Sequence, residues 1–155
     1  MPEDPDPYSE ARLSIRNTIE DPVTKLLISS SHLTTPQLET LLANSISYEK
    51  TVKKDQRRLF RPSKNHISRG SYNRTLIQAQ INVIHAIYTI LLLGYVGLFD
   101  DASLQPFLEL SDSLQSYMLE RKESSQTDEV FADLKGRLIE TVSALARRQS
   151  FKDIL

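Results

Sequence analysis

The 155-residue chain has no cysteine and only four glycines. Without cysteine there can be no disulfide, no thiol nucleophile and no cysteine-ligated zinc or iron–sulfur centre. Four glycines are too few for a fold built on tight β-turns, and they leave no glycine-rich loop of the kind that cradles phosphates. Histidine is scarce as well: His32, His66 and His85 show no close metal-ligand spacing. The paired acids are ordinary ones, Glu109 with Asp112 on a helix surface and Asp100 with Asp101 at a turn or helix start. The chain therefore reads as a non-enzymatic protein with no cofactor, no metal site and no catalytic residue. The opening MPEDPDPYSE has neither a basic n-region nor an apolar h-region, so no secretory signal is expected and the cytoplasm is the expected location.

What is present suits a soluble globular chain, with 39% hydrophobic and 25% charged residues. Pro2, Pro5 and Pro7 among acids mark residues 1–10 as a disordered acidic arm, and residues 11–155 as a single helical domain. The net charge of −1 hides a segregation. Between Lys50 and Arg74 stand nine cations, Lys50, Lys53, Lys54, Arg57, Arg58, Arg61, Lys64, Arg69 and Arg74, against the one anion Asp55, so this segment carries +8. Such a block can be no more than a solvated face. Concentrated this tightly, it is also the electrostatic footprint of a polyanion site, because each phosphate neutralised releases condensed counterions. The acidic arm could lie against the same patch.

Helical spacing recurs along the chain. Leu13, Ile15, Ile19, Val23, Leu26 and Leu27 approximate it, with a restart at Pro22 after Asp21. Thr34 or Thr35 with Pro36 forms an N-cap signal ahead of Leu38, Leu41, Leu42 and Ile46. Residues 50–66 hold only Val52, Leu59 and Phe60 as large apolar residues and read as a helix extension and a loop broken at Pro62. Ser68 is a good N-cap, and Gly70 and Ser71 are small enough for close approach to a phosphate backbone. The helix that follows repeats Tyr72, Leu76, Ala79, Val83, Ala86, Ile90 and Leu93 at three- and four-residue steps, widened by Ile77, Ile84, Ile87 and Leu91. Ser71, Thr75, Gln78, Asn82, His85 and Thr89 form a polar stripe opposite. This predicts a long helix, basic and exposed at its start and buried in its second half. After a break near Gly97, the helices of 102–155 carry the stripes Leu104, Phe107, Leu108, Leu114, Tyr117, Met118 and Phe131, Leu134, Leu138, Val142, Leu145, with Thr127 as an N-cap and Arg147-Arg148 at the C-terminal end. They are read as core or as a dimerisation surface.

The short helix LTTPQLETLLAN, a connection and a second helix opening ISRGSYNRTL resemble, over residues 33–76, helix-turn-helix DNA-binding proteins. The resemblance implies an all-α helical bundle holding a helix-turn-helix-like unit. It places Ser68, Arg69, Ser71, Tyr72, Asn73 and Arg74 where groove-facing residues stand, beside the phosphate-contacting cations of 50–64. DNA is the implied partner, with RNA as the alternative ligand, a homodimer as the implied assembly and transcription regulation or chromatin association as the implied role. Two further readings stay open. The basic patch could meet acidic protein or lipid in a scaffold, and Thr75 to Phe99, which has no charged residue, is long enough to span a bilayer core of roughly 30 Å, although Gln78, Gln80, Asn82, His85 and Thr89 on one stripe suit a buried hairpin or a dimer seam better.

Overall fold

A computed structural model of the protein describes residues 6–63, 67–98, 101–123 and 128–148; for 101–104, 120–123, 128 and 143–148 it describes the backbone alone. The described residues are all-helical: α1 (Ser9–Glu20), α2 (Pro22–Ser30), α3 (Thr35–Glu49), a 3₁₀ turn (Arg57–Phe60), α4 (Arg69–Tyr95), α5 (Asp101–Glu123) and α6 (Asp128–Arg148). Where the sequence suggests one domain from residue 11 onward, the chain divides into two compact units, Met1–Ile87 and Tyr88–Leu155.

In the first unit, local capping chemistry sets the helix starts. The Asp21 carboxylate accepts from the Thr24 amide at 2.9 Å and Pro22 fills the first helical turn, so the chain restarts as α2 at this point. Thr34 and Gln37 form a capping box at the head of α3, with the Gln37 amide donating to the Thr34 hydroxyl at 3.4 Å and the Thr34 amide donating to Gln37 Oε1 at 3.1 Å. The core is Ala11, Ile15, Ala43, Phe60 and Tyr72, with Ile19, Leu42, Ile46, Ile67 and Leu76 packed around it. The small Ala11 and Ala43 give α1 and α3 room for close packing on each other and on the 3₁₀ turn. Tyr8 meets Phe60 edge to face at 5.0 Å, and Asp6 pairs with Arg12. Within residues 6–10, read from sequence as part of a disordered arm, Tyr8 is held by its aromatic partner and Ser9 and Glu10 open α1; residues 1–5 lie outside the described residues.

The end of α3 is a feature the sequence does not announce. Thr51 adopts a positive φ of 53°, the Val52 amide reaches back to the Ser47 carbonyl at 3.0 Å, and the Thr51 amide reaches the Tyr48 carbonyl at 3.2 Å. This is the left-handed helix stop that glycine ordinarily serves. A β-branched residue adopts it at a cost of about 1–2 kcal/mol, which the packing of Val52 against the core offsets.

Ser68 caps α4 as its sequence suggests, its hydroxyl accepting from the Ser71 amide at 3.1 Å. Gly97, at φ 77°, stops the same helix, with the Leu98 amide returning to the Leu93 carbonyl at 2.8 Å. Between these ends the expectation of a long buried helix is corrected: only Tyr72 and Ala79 are buried. The first unit covers one side of the early turns. Ile81, Val83, Ile84, Ile87, Tyr88, Ile90, Leu91 and Leu92 are all exposed. Apolar periodicity calls for a cover without saying that the same chain supplies it.

In the second unit, residues 124–127 alone separate α5 from α6, which sets the two helices antiparallel. Leu110, Tyr117 and Leu134 are buried, and Arg137 donates to the Ser113 hydroxyl at 3.4 Å. Phe131 and Leu138 are half-buried, whereas Leu108 and Val142 are exposed. Thr127 lies outside the described residues, as do the side chains of Leu104, Leu145, Arg147 and Arg148.

Candidate nucleic-acid interface

The basic segment separates into two groups by what its side chains touch. Lys50, Lys53 and Lys54 flank the stop at Thr51 and are exposed; Arg69 and Arg74 are exposed on the first two turns of α4. None of these five has an ion-pair partner among the described residues. Lys64 lies outside the described residues.

Arg57, Arg58 and Arg61 are taken up by the fold. The Arg57 guanidinium sits over the Tyr48 ring, 4.2 Å from its centroid, and donates to Asn44 Oδ1 at 3.1 Å. Arg58 donates to the Ile67 carbonyl at 3.4 Å, tying the 3₁₀ turn to the approach of α4. Arg61 is buried and pairs with Glu39 at 3.0 Å, with the Ser63 hydroxyl bridging to the same carboxylate. The expectation that all three contact phosphate is thus narrowed. Arg61, 8% exposed, has its charge neutralised inside the protein.

Tyr72 also departs from its sequence reading as a groove-facing residue. It is 2% exposed, its ring lies in the core and its hydroxyl meets the Thr40 carbonyl at 3.5 Å. Burial pushes the hydroxyl pKa up to about 12, against a smaller opposing pull from Arg57 and Arg61, because the neutral form suits the apolar surroundings. The unfolded chain therefore loses this proton near pH 10 while the folded chain keeps it to about 12. Stability contributed by this group is complete below pH 10 and falls as pH rises above it. Tyr72→Phe should remove that alkaline loss, so the gap in urea midpoint between variant and wild type should move in favour of the variant from pH 9 to pH 11.5.

The buried Tyr72 orients its neighbours. At about 100° per residue, Arg74 is turned about 200° from it, and Ser71, Asn73 and Arg74 are all exposed. A Cβ on Gly70 would meet nothing within 4 Å, so the helix start is open on that side. Residues 50–68 separate α3 from α4, a longer connection than the compact helix-turn-helix turn.

Arg12 and Arg16 are cations that reading by charge blocks passes over. Four residues apart on α1, they line a cleft of about 410 Å³ together with Arg58, Arg61, Asp6 and Ser63. The available signal was their i, i+4 spacing, which puts both on one helix face. Among the described residues no group of three or more His, Asp or Glu gathers to hold a metal ion. No protein-family model, curated protein or solved structure matches the chain.

Proposed function

We propose that the first unit is a helix-turn-helix-like nucleic-acid-binding module, with duplex DNA as its ligand, RNA as the alternative, and the cytoplasm as its compartment. Transcription regulation or a chromatin-associated role follows from that ligand. The observation that carries the reading is the division of labour at the start of α4. Tyr72 is locked in the core while Ser71, Asn73 and Arg74 around it are exposed, so a rigid helix end presents short polar side chains and a guanidinium outward. Lys50, Lys53 and Lys54 supply exposed charge for backbone phosphates, and Arg16 at the cleft adds charge that lies outside the block. Arg57, Arg58 and Arg61 hold the platform.

Positioning and readout should separate by mutation. A base contact is worth about 1–3 kcal/mol of discrimination, whereas a phosphate contact weakens all sequences about equally. After selection of a preferred sequence from a random pool, Arg74→Ala is expected to narrow the affinity gap between that sequence and random DNA, and Lys53→Ala to lower both affinities together at one fixed salt concentration. If selection enriches nothing, or both substitutions scale every affinity alike, α4 is not a recognition helix.

A further inference from the structure

The exposed side of α4 has an order that its apolar content alone does not require. Ile77, Ile81, Ile84, Tyr88, Leu91 and Tyr95 follow one another at steps of 4, 3, 4, 3 and 4 residues, and every one of them is between 37% and 89% exposed. A strict 3.5-residue period is the signature of a two-helix seam, in which alternate residues insert into holes on a facing helix. Ile87 and Leu92 flank the seam, and no charged residue lies anywhere between Thr75 and Val96.

Three observations say what covers this seam. Gln78 and Asn82 stand one residue on from seam positions, turned by about 100°. Gln78 donates to Asn82 Oδ1 at 3.2 Å, and Asn82 donates to the His32 carbonyl at 3.0 Å and to Gln37 Oε1 at 3.2 Å. The first unit thus holds α4 by the side of Gln78 and Asn82, not by the seam side of Ile77, Ile81 and Ile84. Second, α4 is long and apolar enough to cross a membrane, with a mean hydropathy of 1.7 in its most apolar window. With Asn82 docked, however, the remaining helix from Val83 to Tyr95 is only about 20 Å long, short of a hydrocarbon core of roughly 30 Å. Third, the seam residues and their flanks Ile87 and Leu92 are each 37–89% exposed along one helix, an apolar patch of the kind one partner contributes to a stable interface and larger than the few hundred Å² an ordinary monomer leaves open.

We infer that the cover is the same seam of a second copy of this chain, the two α4 helices pairing about a two-fold axis. A two-fold interface brings a patch against itself, and an uncharged apolar stripe is self-complementary without any ionic pairing. The inference stands on the seam alone and is independent of the nucleic-acid reading.

The full chain should have the mass of two chains by light scattering on a sizing column at micromolar concentration. Ile84→Glu and Tyr88→Glu each place like charges face to face in the seam and should raise the dimer dissociation constant on the order of 100-fold or more, with helicity retained by circular dichroism because both positions are exposed in the single chain. The absence of cysteine allows a second measurement that needs no folding variant. Under mild oxidation Ile84→Cys and Tyr88→Cys should cross-link, each with itself or with the other in an equimolar mixture, whereas Gln78→Cys should not. A one-chain mass at 100 µM, cross-linking no faster at the seam than at Gln78, or wild-type recovery only on phosphatidylcholine vesicles would overturn the inference.

Discussion

Glu39→Ala is expected to destabilise the first unit by about 3–5 kcal/mol, because it strands a charge in the protein interior. Arg61 and Glu39 are a buried pair, with side chains 7% and 13% exposed. The Arg61 Nε already lacks a partner among the described residues, so the Glu39 carboxylate and Ser63 are what compensate the guanidinium. Removing the carboxylate leaves the cation desolvated and unpaired. Replacing both partners with apolar residues, Glu39→Leu with Arg61→Met, should cost far less, since it removes the charge along with its counterion. Urea denaturation followed by circular dichroism measures both. A loss below about 1 kcal/mol for Glu39→Ala would mean that the pair behaves as a solvent-screened surface contact.

Tyr72→Ala is expected to cost about 3–5 kcal/mol, the usual range for deleting a large buried aromatic side chain. The position matters beyond its size. Tyr72 belongs to the same core as Ile15 and Phe60, and it is one of only two buried residues on α4, so its loss frees the start of that helix as well as opening a cavity. Amide exchange at residues 69–76 should then quicken more than exchange in the middle of α3. Tyr72→Phe keeps the ring and removes only a long hydroxyl contact, and should cost less than about 1 kcal/mol at neutral pH. Equal losses for the two substitutions would put the weight on the hydroxyl instead of the ring.

Much of the helical framework could be read in advance because its signals are local. Asp21 with Pro22, Thr34 with Pro36, Ser68 and Gly97 each act on backbone groups within a few residues, and each ends or begins a helix where its chemistry requires. The stop at Thr51 was not legible, since a β-branched residue is disfavoured in the left-handed region and the packing of the next residue, Val52, against the core is not a local signal. The basic block showed its charge but not its orientation. Arg61 finds Glu39 across 22 residues and Arg57 finds Asn44 across 13, contacts that no local pattern encodes. Tyr72 fitted both an apolar stripe and a recognition helix, and only packing separates the two. The exposure of α4 was hidden for a related reason: an apolar run looks the same whether its own chain, a second copy or lipid covers it.

The division of the basic segment into exposed and built-in cations is tested most directly by the salt dependence of duplex DNA affinity. Among the described residues of the basic segment, five exposed cations, Lys50, Lys53, Lys54, Arg69 and Arg74, contribute up to about −4.5 to the slope of log affinity against log salt, at about −0.9 for each phosphate neutralised, and Arg16 adds up to about −0.9 more. Replacing Lys50, Lys53 and Lys54 together with glutamine is expected to flatten the slope by about 2.7 and leave the urea midpoint unchanged. Affinity indifferent to salt, no binding at low salt, or a slope untouched by the triple substitution would contradict the account.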